Sequence, residues 1–302
     1  MLIFFGKDPG IVVEMQGNMW YIFRECFYRK REKFNHVFTQ KVVKFMALKF
    51  EYFYTSHIGK CRRVNQDNFF ANGHLMPSEN CGTNGVIEAV AFPEDEPVFA
   101  IFDGMGGEEC GEVAAYIAAE EMKDHTFEEG MEKGFFDFCT AANRKICQYT
   151  QENGIGSMGT TAAIVRFAKK NSCLCNIGDS KIFLLSKKQL VQISYDHVGI
   201  AAYGRKPPLT QNLGIPEDEL IIEPYVARGS YKNGDVYLIC SDGVTDMLSV
   251  ETLQRILLEN PGREAAQRIL DGALENGGRD NTTFILVYVK KQRRKLFGRR
   301  ER

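Results

Sequence analysis

The sequence predicts an α+β fold in which sheets pack face to face and helices cover them from outside. Three observations lead there. Seven short runs are rich in β-branched and aromatic residues: NFFA (68–71), VFAIF (98–102), TTAAIVRF (160–167), SCLCNI (172–177), KIFLL (181–185), VYLIC (236–240) and TFILVYV (283–289). Helical patterns come in two pairs, 111–124 with 135–151 and 250–259 with 263–275. Each pair follows a strand ending in Asp-Gly, and an amphipathic helix must bury its apolar stripe against something, which a sheet supplies.

The whole chain sets bounds. Its 302 residues, 44% hydrophobic, suffice for one large core or two modest ones and exclude a disordered protein. The net charge of -1 conceals a division. Residues 1–49 hold nine Lys/Arg against four Asp/Glu and residues 290–302 hold eight against one, leaving 21 basic against 34 acidic residues between them. An acidic body repels nucleic acid and phosphorylated ligands alike unless bound cations reverse the local sign. Nine Cys without a CxxC pair lack zinc and thioredoxin-like spacing; with no credible signal peptide, they point to a reducing cytoplasm. No run approaches the roughly 18 apolar residues of a membrane span.

Along the chain, residues 1–49 mix aromatic and basic residues without a steady period, as in WYIFRECFYRKREKFNHVF, and carry no evident chemistry. Met46 is a candidate native start, which a peptide from residues 1–40 in a mass spectrum would refute; the alternative is an amphipathic regulatory or membrane-surface segment. Residues 50–289 form the expected domain, with ALKFEYFYTSHIGK at its entrance. The Gly-, Pro- and acid-containing stretch 73–97 reads as a loop or ragged hairpin between strands. The tail 290–302, KKQRRKLFGRRER, reads as a disordered, solubilising end.

The chemistry lies where Asp residues fall. Asp103 closes VFAIFDG, Asp179 closes CLCNIGDS, Asp242 closes VYLICSDG, and Asp280 precedes the last strand in GGRDNTTFILVYV. Taken singly, each reads as a turn or helix cap. Four together, at one rim of a sandwich, cannot all stay ionised without cations, and oxygen donors favour Mg²⁺ or Mn²⁺ over zinc. In DGMGG (103–107) the glycines let the backbone approach a ligand, so the Gly104 carbonyl is itself a candidate donor. In RRVNQDN (62–68), Arg62 or Arg63 suits a phosphate and Asp67 adds a carboxylate, although a basic pair beside a strand is usually solvated.

In order, RRVNQDNFF, AIFDGMGGEECGEVAA, GSMGTTAAIV, NIGDSKIFLL, SYDHVGIAA, LTQNLGI, LICSDGVTDML and GGRDNTTFILV resemble the successive motifs of the PP2C-type (PPM) protein phosphatases, particularly the compact bacterial members, over residues 50–289. The resemblance implies a four-layer α-β-β-α sandwich, two antiparallel sheets flanked by helix pairs. It implies metal-dependent hydrolysis of phosphoserine and phosphothreonine in proteins by a metal-activated water, using two Mn²⁺ or Mg²⁺ ions with room for a weaker third. By the same resemblance Asp103 bridges the two ions, Gly104 is a backbone ligand to the second, and Asp242 and Asp280 bind the first. Asp179, with Asp242, holds the third; Asp67 acts mostly through water; Arg62 binds phosphate in preference to Arg63. Expected partners are phosphoproteins, opposite a serine/threonine kinase, with the enzyme a monomer that neither binds nucleic acid nor spans a membrane.

Two departures constrain these expectations. Gln66 stands where many members carry Glu, which would weaken the second ion. Met105 stands where many eukaryotic members carry a His proposed as general acid, and a thioether cannot donate a proton. The proton then comes from water at the centre or from His197, whose more ordinary role, like that of Asp196, is to fix a loop. Segment 198–224, with Gly204, Pro207, Pro208 and Gly214, resembles the family's flap beside the active site. A catalytically silent phosphoprotein-binding scaffold is the alternative, and a hydrolase of small phosphate esters a third reading; retention of Asp103, Asp242 and Asp280 speaks against the scaffold.

Overall fold

A computed structural model describes residues 48–105, 110–127, 131–168, 171–201 and 206–292, and the strands β1 (Ile3–Phe4), β2 (Val12–Gln16) and β3 (Met19–Ile22). The chain divides into two units, Met1–Ala47 with Arg293–Arg302, and Leu48–Gln292. In the first, β1, β2 and β3 form an antiparallel meander. Met46 and the tail beyond residue 292 lie outside the described residues, and of the segment expected as a start-site artefact or an amphipathic region only β1, β2, β3 and residues 48–49 are described.

The second unit contains two six-stranded antiparallel sheets. One runs β12 (Gln189–Gln192), β11 (Lys181–Ser186), β14 (Val236–Cys240), β15 (Thr282–Lys291), β4 (Leu48–His57), β6 (Ile87–Ala91). The other runs β13 (Tyr225–Ser230), β10 (Asn171–Ile177), β9 (Ala162–Phe167), β7 (Val98–Met105), β5 (Asp67–Ala71), with β8 (Gly159–Thr160) paired to β7. Helices α1 (Gly111–Asp124) and α2 (Met131–Glu152) pack on the second sheet. The single turn α3 (Asp242–Thr245), with α4 (Val250–Glu259) and α5 (Arg263–Glu275), packs on the first.

Four layers require three cores, and the strand sequences serve all of them. Along β14, Val236, Leu238 and Cys240 face the helices while Tyr237 and Ile239 face the opposite sheet; β15 alternates likewise from Phe284 to Val289. Both faces of these strands are dry, so their sequences read as continuous apolar runs. Ala114, Ala115, Ala118 and Ala119 give α1 a small-residue face that lets it lie close on the second sheet.

The observed elements exceed the predicted ones. β6, β12 and β13 are edge strands with largely exposed side chains, so no buried periodicity marks them. The stretch 73–97 is accordingly more than a loop, since Ile87–Ala91 pairs along β4. The last strand runs past residue 289, pairing Lys290 with Lys49 and Lys291 with Leu48.

Candidate metal centre

Register brings the predicted carboxylates to one rim. In the second sheet Asp67 opens β5 directly opposite Asp103 on β7. Ile101 pairs with Ala163 and Ala162 with Ile177, so β10 leaves the sheet at the same end and reaches Asp179 two residues later. In the first sheet one row joins Lys181, Cys240 and Phe284. Asp179 lies two residues before that row, Asp242 two after it and Asp280 four before it, all at the same end.

The backbone around Asp103 is fixed by threonines. Its N–H donates to Thr161 Oγ1 at 3.0 Å; its carbonyl accepts from the Thr161 N–H at 2.9 Å and the Thr160 hydroxyl at 3.0 Å. The next residue donates its N–H to the Gln66 carbonyl at 3.1 Å. A Cβ on Gly104 would fall 2.1 Å from the Gly111 carbonyl oxygen and 2.4 Å from that of Gln66, so no larger residue fits there. Gly243 is constrained alike: a Cβ would meet the Asn281 carbonyl oxygen at 1.9 Å.

Asp67 is buried, and Ser241 of the opposite sheet donates to its Oδ2 at 2.8 Å. Burial, together with the charge of Asp280, pushes Asp67 up to about 6 against the opposing hydrogen bonds of Thr283, Ser241 and Asp103. Burial, then the charges of Asp67, Asp179 and Asp280, hold Asp103 well above the usual carboxylate range, with Lys206 acting in the other direction. Among the described residues neither carboxylate is in an ion pair.

The remaining carboxylates each face a side-chain cation. Arg62 Nη2 lies 2.6 Å from Asp280 Oδ2, so Arg62 rather than Arg63 reaches the rim. That hydrogen bond raises the Arg62 pKa over the opposing effect of burial, and the charges of Asp280, Asp103 and Asp67 add to it. Lys206 Nζ contacts Asp242 Oδ2 and stands 3.5 Å from both Asp179 Oδ2 and Asp246 Oδ2. Asn281 ties the approach loop down, accepting from the Gln66 N–H at 2.8 Å and donating to the Ile58 and Val64 carbonyls at 2.9 and 3.0 Å.

The donors fit a hard divalent cation: five carboxylates at one rim, with Asp67 and Asp103 disfavoured as anions by burial and by neighbouring carboxylate charge. In this arrangement, among the described residues, no three His, Cys, Asp or Glu side chains close on one metal position. The ammonium of Lys206 and the guanidinium of Arg62 stand among them instead.

Other expected residues resolve differently. Asp196 pairs with Lys181, whose ammonium also donates to the Asp179 carbonyl at 3.3 Å, and accepts from Gln192 Nε2 at 2.6 Å. The His197 ring is buried, which lowers its pKa, and its Nδ1 has no hydrogen-bond partner among the described residues; its backbone N–H donates to the Gly178 carbonyl at 2.9 Å and its carbonyl accepts from the Thr210 N–H at 2.9 Å. Gly106 and Gly107 lie outside the described residues, as does Gly204. Lys206, Thr161, Ser241 and Asn281 carry no sequence assignment. The last three sit beside motif residues, in GTT, CSDG and RDNT, whereas Lys206 gives no such signal.

The profile described as Protein phosphatase 2C matches residues 89–275. The serine/threonine protein phosphatase PstP of Mycobacterium tuberculosis is 30% identical over 259 residues, covering 81% of this chain but 46% of that protein, so the chain spans about half of that relative's length. The serine/threonine phosphatase stp of Listeria welshimeri is 27% identical, with 76% of this chain and 92% of the relative covered. Among solved structures, the catalytic domain of PstP in complex with two manganese ions superposes with a TM-score of 0.64 at 27% identity, over 81% of this chain and all of that one.

Proposed function

The chain belongs to the protein phosphatase 2C family, and from that premise we propose that it hydrolyses phosphoserine and phosphothreonine in proteins at the five-aspartate rim. One observation carries the proposal: Asp67 and Asp103 face each other on paired strands at the same end to which Asp179, Asp242 and Asp280 converge. Asp103, Asp242, Asp280 and the Gly104 carbonyl would hold two Mn²⁺ or Mg²⁺ ions, Asp103 contributing to both. Asp67 would act through water, and Asp179 with Asp242 would hold a weaker third ion. Bound there, the ions would supply an activated water and neutralise phosphoryl charge.

The chain's own residues do the rest. Arg62 leaves Asp280 and takes the phosphoryl oxygens bidentately, as guanidinium geometry suits. Thr160 and Thr161 hold Asp103 in place, and Ser241 orients Asp67. Met105 donates no proton, and the His197 ring is buried with its pKa lowered, so the leaving oxygen takes its proton from water. The cytoplasm is the proposed compartment, in keeping with the buried Cys139 and Cys175, whose sulfurs stand 3.7 Å apart as thiols. Phosphoproteins opposite a serine/threonine kinase are the proposed partners, and one chain supplies every assigned residue, which suits a monomer.

Turnover of p-nitrophenyl phosphate and a phosphothreonine peptide tests the proposal. Activity should require Mn²⁺ or Mg²⁺ and vanish in EDTA. Full activity in EDTA would overturn the mechanism, and a protein that binds Mn²⁺ yet turns over neither substrate would be the silent scaffold.

A further inference from the structure

Lys206 lies in the segment between β12 and β13, yet its ammonium sits among carboxylates of the rim. Nζ contacts Asp242 and lies 3.5 Å from Asp179 and 3.5 Å from Asp246, while the side chain stays 49% exposed. Its position is set by the segment's stem. Val198 bridges Leu209, the Gly199 N–H donates to the Pro208 carbonyl at 2.8 Å, and the Thr210 N–H donates to the His197 carbonyl at 2.9 Å. Leu213 in turn bridges Thr160, the neighbour of Thr161 that holds Asp103. Pro207 and Pro208 follow immediately, restricting the backbone of Lys206 and of the residue after it.

Asp179 and Asp242 are the carboxylates assigned above to the weaker third ion. A divalent ion shared by them would sit about 2.0–2.2 Å from their oxygens, in the space the ammonium now fills. Two cations cannot share that space, because both the contact distance and the charge forbid it. We propose that Lys206 is a tethered counter-cation that competes with the third ion: it offsets part of the charge of Asp179, Asp242 and Asp246 when ions are scarce, and it must withdraw, releasing its segment, when a divalent ion occupies Asp179 and Asp242. The proposal rests on the ligand assignment under Proposed function. By linkage, whatever free energy Lys206 contributes to holding the segment is subtracted from the affinity of that ion, and the ion loosens the segment by the same factor.

The test is a Mn²⁺ titration of the full chain followed by electron paramagnetic resonance of the free ion, comparing wild type with Lys206→Met, which keeps the aliphatic stem, and with Lys206→Arg, which keeps the charge. Lys206→Met should bind the weakest class of Mn²⁺ about tenfold more tightly, the tight classes moving little, and Lys206→Arg should stay near wild type. Hydrogen exchange supplies a second readout. Amides of 209–214 should be protected in EDTA in wild type, exchange faster at saturating Mn²⁺, and already exchange fast in Lys206→Met. Tight ions together with an unchanged weak class in Lys206→Met would overturn the competition alone. A wild type that binds no Mn²⁺ would overturn the ligand assignment, and protection in EDTA equal in wild type and Lys206→Met would overturn the tether.

Discussion

The two sheets bring differently prepared carboxylates to the rim. The second sheet contributes Asp67 and Asp103, crowded against each other, held by hydroxyls and backbone, and disfavoured as anions. The first sheet contributes Asp242 and Asp280, already neutralised by Lys206 and Arg62. One half of the centre therefore demands an exchangeable cation, while the other is stable without one. A buried, unpaired carboxylate pair is a cost to folding that a bound ion removes; a carboxylate with its own side-chain cation gains less from the exchange.

Asp103→Asn should break this contrast most completely. With the proposed shared ligand of the two ions lost, kcat should fall by about three orders of magnitude or more at saturating Mn²⁺. In EDTA the same substitution removes a repelled charge, so its melting temperature at pH 8 should rise above that of wild type. Asp280→Asn should not show that rise, because it strands Arg62. Equal melting shifts in the two variants would erase the distinction between the sheets.

Next in size is Arg62→Ala. If the guanidinium moves from Asp280 to phosphate, steady-state kinetics on the phosphothreonine peptide should show kcat/KM down about 10- to 100-fold, with Arg62→Lys recovering only part of it, since a point charge does not reproduce the planar fork. A loss confined to the melting temperature would make Arg62 a structural partner of Asp280.

Much of this centre was legible before any coordinates. Asp103, Asp179, Asp242 and Asp280 stand out because each follows or precedes a long apolar run, and such runs end where a sheet ends. The helices and central strands are equally plain, since dry faces impose a pattern. β6 and β13 were hidden because edge strands with wet faces impose none. Lys206 was hidden for another reason: it reaches the rim through space, from a segment whose sequence shows only glycine and proline, and an ion pair across 36 residues leaves no local mark. Gln66 is intermediate, since the sequence marks it as a missing charge while its backbone N–H and carbonyl bond Asn281 and Gly104.

A smaller effect follows from Asp67. Its folded value of about 6 lies above the ordinary value of about 4, so the folded protein binds this proton more tightly than the unfolded chain. The corresponding stability is fully present below pH of about 4 and is lost as pH rises through about 6. In EDTA, wild type should lose on the order of 5 °C relative to Asp67→Asn between pH 4.5 and 8, and saturating Mn²⁺ should cancel the difference. A pH-independent gap between the two proteins would contradict the perturbed carboxylate.

Ser241→Ala refines that measurement and should have the smallest effect. The hydroxyl donates to Asp67 at 2.8 Å and receives the Thr283 N–H at 3.1 Å, so its removal leaves one acceptor and one donor short. The expected cost is about 1–2 kcal/mol, a drop of a few degrees in a domain of this size, with activity changed only severalfold. Because the lost bond favoured the ionised carboxylate, the Asp67 inflection in EDTA should also move to higher pH. A lower melting temperature with an unmoved inflection would mean that Ser241 joins the two sheets without tuning the carboxylate between them.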